Sequence, residues 1–286
     1  MFFQALRSSG LLGLLLILPG SPNVPGADTS SKAGAGNNPQ PSPLPLEPVY
    51  RIRPLDGKQR FATPRDYDFK KLSPEGVAFL AVITNDWPTG LVPIFMVEKT
   101  NWFELRRRPV RGQENDFEPL FFALPPADEP DATKIAGHWD GRAVRGNGDK
   151  DFPAWELTIE GDQVSGRFDQ DSQYRYAYLA GGTFRSNRLE LRAEHNNEVY
   201  LLNGEWREGR ISGVWHHADA TERGTWEATR RESCVPASSE IVALYEWRRP
   251  LDNGRRYALE GEEMEPSWER SPRPLCRVWR GSGKNK

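Results

Sequence analysis

Cysteine is scarce in this chain of 286 residues: Cys234 and Cys276 are the only thiols, so one bond between them is the most that disulfide chemistry can supply. Histidine is nearly as rare. No Cys or paired carboxylate completes a ligand set with His138, His195, His216 or His217, so neither a metal nor a cofactor is expected. A surplus of one charge is missing as well: 38 Lys+Arg face 40 Asp+Glu, a net charge of −2. That excludes binding nucleic acid through bulk positive charge. The apolar run near the start, Leu11 to Leu18, is interrupted by Gly13. It falls far short of the ~20 residues that cross a bilayer, and no transmembrane span is expected. There is no Gly-x-Ser-x-Gly elbow, no phosphate-cradling glycine loop and no Cys/His nucleophile pair. Glu260, Glu262, Glu263 and Glu265 crowd one stretch, yet nothing fixes two carboxylates across a cleft as glycoside hydrolysis requires. The expectation is a protein that is not an enzyme.

What the chain has in quantity is aromatic and turn residues. Aromatics make up 11%, with ten Trp, beside 26 Gly and 24 Pro. With a mean hydropathy of −0.69, this mixture favours many short strands. At the start, Arg7 precedes the apolar run and Pro19-Gly20 breaks it. Residues 1–27 read as a secretory signal peptide, and no Cys follows the run to accept lipid. Residues 28–48 are mostly Pro, Gly, Ser, Asn and Ala, with too little apolar surface to offset ordering entropy, and read as a linker. An extracytoplasmic protein, periplasmic or secreted, is expected. In that compartment Cys234 and Cys276 are expected to pair across about forty residues, the alternative being two unpaired thiols.

From Ile135 to Arg230 the chain shows eight short runs of alternating polarity. Trp155, Leu157 and Ile159 share one face; Gly161-Asp162 turns the chain; Val164, Gly166 and Phe168 resume that face. Further runs follow at Tyr178 to Arg185, Arg188 to His195, Glu198 to Trp206, Arg210 to His216 and Gly224 to Arg230. Ser186-Asn187, Asn196-Asn197 and Glu208-Gly209 connect them with residues that tolerate positive φ. Eight strands in succession can close on themselves and remove their edges, and glycines such as Gly182 and Gly213 suit a sharply curved sheet. Residues 134–231 are thus expected to form an up-and-down β-barrel. With Gly137-His138-Trp139 at its start, the pattern resembles calycin-like (lipocalin-like) and avidin-like barrels of secreted bacterial proteins. The resemblance implies an apolar ligand lined by Trp139, Trp155, Phe168, Trp206, Trp215 and Trp226. The alternative is that these side chains fill the interior themselves.

The flanks contain an internal repeat. Val49-Tyr50-Arg51 leads through Pro54-Leu55-Asp56-Gly57 to Arg60-Phe61-Ala62, and Leu244-Tyr245 leads through Pro250-Leu251-Asp252-Asn253-Gly254 to Arg256-Tyr257-Ala258. Gly76 to Val82 and Pro274 to Trp279 close these two copies. A degenerate copy runs from Val92 through Trp102-Phe103-Glu104-Leu105 to Phe121-Phe122-Ala123. The Val-Tyr-Arg, Arg-Phe-Ala-Thr and Glu-Gly-Val-Ala-Phe segments of the first copy resemble a repeat family of unknown function in secreted bacterial proteins. That resemblance implies a β-trefoil-like domain. Residues 49–125 and 240–280 would build it, with the barrel inserted as an independent unit. The fold class expected is all-β. Arginines beside aromatics, Trp102 near Arg106-Arg107-Arg108, and Tyr245 and Trp247 near Arg248-Arg249, are candidates for a glycan-binding surface. Three roles follow: recognition of carbohydrate or an envelope polymer, carriage of a small apolar ligand, or a structural part of the envelope.

Overall fold

Alternating polarity becomes strand pairing through most of the chain. The computed structural model describes residues 42–52, 60–65, 74–99, 103–109, 118–151, 153–169, 177–195, 197–236 and 240–281. The expected signal peptide and Trp102 lie outside them. Before the barrel come β1 (Leu46–Ile52), β2 (Arg60–Ala62), β3 (Pro74–Val82), β4 (Val92–Glu98), β5 (Phe103–Arg106) and β6 (Phe121–Ala123). The linker expected to reach Pro48 ends sooner. Leu44 N–H already donates to Cys234 O at 3.1 Å, and Leu46 pairs with Val82. Leu44 and Leu46 are partly buried against a hydrophobic cluster, which repays their ordering.

A six-residue helix, α1 (Pro130–Ile135), leads into the barrel. Its strands are β7 (Gly137–Arg145), with the short ribbon β8 (Lys150–Asp151) at its end, then β9 (Ala154–Glu160), β10 (Gln163–Asp169), β11 (Ala177–Arg185), β12 (Arg188–His195), β13 (Glu198–Arg207), β14 (Arg210–His217) and β15 (Arg223–Arg230). Each pairs antiparallel with the next, and β15 returns to β7 from Gly224↔Arg145 to Arg230↔Trp139. The result is a closed eight-stranded antiparallel barrel. Ser186 and Asn187 take φ of 50° and 64°, the left-handed pair a two-residue hairpin turn requires. Gly182 and Gly213 permit close strand approach: a Cβ there would lie 1.8 Å from Glu190 O or Asn203 O.

After the barrel, β16 (Ile241–Arg249), β17 (Gly254–Leu259), β18 (Glu269–Arg270) and β19 (Cys276–Trp279) complete a ten-stranded outer sheet with β1–β6. It contains three like units. In each, a first strand pairs with a second and a third: β1 with β2 and β3, β4 with β5 and β6, β16 with β17 and β19. The first and last hairpins share one register, since Tyr50↔Ala62 and Arg51↔Phe61 correspond to Tyr245↔Ala258 and Glu246↔Tyr257. The third strands meet pairwise at Leu80↔Trp279, Val82↔Phe122 and Leu124↔Arg277. The closed six-stranded ring of a trefoil is not among the described pairings.

The described residues form one compact unit in which barrel and outer sheet share a core. A continuous apolar core runs from Val49, Phe79 and Phe121 through Ala132, Ile135 and Ala136 to Trp139 and Leu157. The barrel's entering and leaving strands also clip to one outer loop. His138 N–H donates to Trp87 O at 3.1 Å, Arg231 N–H to His138 O at 3.0 Å, and Ser233 Oγ to Thr89 O at 3.1 Å. Glu156 lies under this clip. Burial would raise its carboxyl, but hydrogen bonds from His138 and Arg167 outweigh that and hold it below the ordinary range.

The expected Cys234–Cys276 disulfide is not formed; both thiols are free. Cys276 is buried in the continuous core on β19, whereas Cys234 lies half-buried on the segment after β15 and is no part of that core. Burial pushes the Cys276 thiol up to about 12 against the pull of the Arg107 charge. Thiol titration after denaturation without reductant is expected to give two thiols per chain, with Cys276 inert to alkylation while folded; no titratable thiol would establish the bridge.

Candidate functional site

The barrel interior offers little space. Trp139 lies at the α1 end, where its indole N–H donates to Ile135 O at 2.9 Å. Trp155 occupies the middle, 4.7 Å from Trp226 and 5.5 Å from Phe168 by ring centroids. Trp215 packs on Tyr200 near the other end, Trp226 N–H donates to Val214 O at 3.1 Å, and Trp206 sits half-buried under the Lys134 ammonium. These rings leave voids of about 30 Å³ and about 10 Å³. A drug-sized guest occupies roughly 300 Å³ or more, so the interior as folded has room for a water.

The large concavity, about 930 Å³, lies outside the barrel, between strands β10 and β11 and the outer sheet. Among the described residues, six arginines and four glutamates line it, without an aromatic ring. Its floor is set by parity on β5. Leu105 faces the core and Arg107 continues the same side, leaving its side chain only 5% exposed. A buried guanidinium needs partners, and Glu129, just before α1, takes both terminal nitrogens at 2.6 and 2.9 Å. Glu129 also accepts from Gly161 N–H at the β9–β10 turn at 3.4 Å, while Glu160 stands 3.7 Å from Arg107 and 3.1 Å from Arg108. Burial alone would lower the Arg107 value, but the hydrogen bonds and charge of Glu129, with Glu160, raise it above the ordinary arginine range. This clasp joins outer sheet, helix and barrel.

The outer wall is an alternating chain of charges. Arg106 bonds Glu104 at 2.6 Å; Arg255 bridges Glu104 at 3.1 Å and Glu246 at 2.6 Å; Glu246 also holds Arg248. Beneath, the Tyr257 hydroxyl donates to Glu246 at 3.2 Å and accepts Leu105 N–H at 2.8 Å. Burial and the Glu246 charge push the Tyr257 phenol above its ordinary value, so it stays a neutral donor. The sheet-end strands β5 and β17 meet here through side chains rather than a backbone ladder. The opposite wall is short: Ser165 and Gly181 face each other across β10 and β11.

The sequence-predicted surface is divided by this geometry. Arg248 enters the groove, whereas Tyr245 and Trp247 have the opposite parity on β16 and leave from its other face. There Arg270 covers the Tyr245 ring at 4.6 Å, and Arg249 and Arg256 flank Trp268 at 5.0 and 4.7 Å. Of the run Arg106 to Arg108 that the sequence offered, Arg107 is the one turned inward; sequence reasoning missed Glu129, Glu160, Arg255 and Arg273. Among the described residues, no group of three or more His, Cys, Asp or Glu is arranged to hold a metal, and no helix is long and apolar enough to cross a membrane. Comparison with protein-family models and with curated proteins finds no match to this chain.

Proposed function

We propose that this is an extracytoplasmic recognition protein that takes a carbohydrate or envelope polymer in the groove between the barrel and the outer sheet, without catalysing its turnover. One observation carries the reading: the space for a ligand, about 930 Å³ against about 30 Å³, lies outside the barrel and is lined by guanidinium groups anchored from below. Anchored arginines lose little further freedom on binding and donate paired hydrogen bonds to sugar oxygens. All four groove carboxylates hold arginines, which suits a rigid recognition surface. The outer sheet is read as a trefoil-like host of three repeats, supported by the shared hairpin register. The extracytoplasmic setting is supported by the signal-peptide pattern of residues 1–27.

A glycan array and sedimentation with peptidoglycan sacculi test this role. Arg248→Ala is expected to weaken whichever interaction is found by roughly tenfold, the worth of a charge-assisted hydrogen bond. Trp247→Ala, on the other face, should change it less than about twofold. The opposite ranking would move recognition to the aromatic face of β16 and sink the groove.

A further inference from the structure

We infer that the ligand of this groove is an acidic polysaccharide carrying carboxylate groups, a polyuronate; this rests on the reading of the groove as a polymer site. The argument is one of donors and acceptors. Glu104, Glu129, Glu160 and Glu246 are all engaged by arginines, so the strong acceptors of the site are occupied. What faces the open space is mainly guanidinium, which has five N–H donors and no acceptor. Arg248 and Arg273 leave 63% and 73% of their side chains exposed there. On the barrel wall Ser165 Oγ is buried without a partner, and Gly181 opposite it adds no side chain that would fill the groove. A ligand that matches this surface must bring acceptors, and a carboxylate fits the planar guanidinium fork.

The same lining separates polyuronates from other polymers. Neutral sugars and nucleic-acid bases are commonly held by stacking on flat rings, and among the described residues no aromatic side chain lines the groove. The charge balance sets a second limit. Four glutamates offset four of the six arginines, which leaves a modest positive field suited to a polyuronate with one charge per sugar rather than to a chain as densely charged as a nucleic acid.

Affinity electrophoresis of the full chain decides the matter, in native gels cast with polygalacturonate, neutral dextran or single-stranded DNA. The expected result is retardation by polygalacturonate alone, weakened at least tenfold by Arg248→Gln, less by Arg248→Lys, and unchanged by Arg207→Gln on the barrel surface. Circular dichroism confirms that each variant is folded. Equal retardation by dextran, still sensitive to Arg248→Gln, overturns the acidic ligand and leaves the polymer groove standing. Stronger retardation by DNA overturns the polyuronate in favour of nucleic acid. Equal weakening by Arg207→Gln reduces the effect to bulk charge and overturns the site. No retardation by any polymer overturns the acidic ligand, and the array and sacculus experiments then decide separately whether the polymer site itself stands.

Discussion

Replacing Trp155 with alanine is expected to cost about 3–5 kcal/mol of unfolding free energy, the range for deleting a large buried aromatic. Trp155 is 1% exposed and packs its ring against Phe168 and Trp226 inside the barrel. Its loss removes apolar burial and ring contacts together, and the surrounding closed sheet can collapse only partly into the space. Trp155→Phe should cost clearly less, because the indole N–H it deletes has no hydrogen-bond partner. Urea denaturation of both variants measures the difference. A loss under about 1 kcal/mol for the alanine variant would mean that the ring lines vacant space rather than filling a packed interior.

Cutting the clasp at the groove floor has a comparable expected effect. Glu129→Gln leaves the Arg107 guanidinium buried without its bidentate carboxylate, and is expected to destabilise the fold by about 3–5 kcal/mol. The double variant Arg107→Met, Glu129→Leu should recover most of that loss, since two apolar side chains replace two charges whose desolvation was itself costly. A double-mutant cycle read from denaturation midpoints checks this. If Glu129→Gln were harmless, the pair would be a solvated surface contact and the groove floor would not be rigid. Because Glu129 also receives Gly161 N–H, the single variant should loosen the β9–β10 turn, seen as faster amide exchange there.

The barrel was legible because its strands are amphipathic, short and joined by tight turns. Arg188 to His195 is β12 without adjustment, and Tyr178 to Arg185 and Glu198 to Trp206 each differ from β11 and β13 by one residue. Closure followed from the count of strands in succession. The disulfide failed because an oxidising setting and two cysteines say nothing of where the fold carries each: Cys276 lies on β19 within the core, and Cys234 lies outside that core on the segment after β15. The linker estimate failed at its end because composition averages over a window and does not register Leu44 and Leu46 meeting a distant apolar cluster. The candidate surface was half legible: Arg248 reaches the groove, while Tyr245 and Trp247, adjacent in sequence, are sent to the opposite face.

By itself the sequence determined the all-β class, the eight barrel strands and the turns between them, since polarity alternation and positive-φ residues act within a few positions. The groove belongs to tertiary structure. Its arginines and glutamates come from β5 and the two residues after it, the segment before α1, the β9–β10 turn, the β16–β17 hairpin and the segment between β18 and β19, stretches separated by up to more than a hundred residues. Local preferences carry no information on which distant charges will meet. That choice was made when the outer sheet and the barrel packed on one core and left Arg107 nowhere to go but toward Glu129.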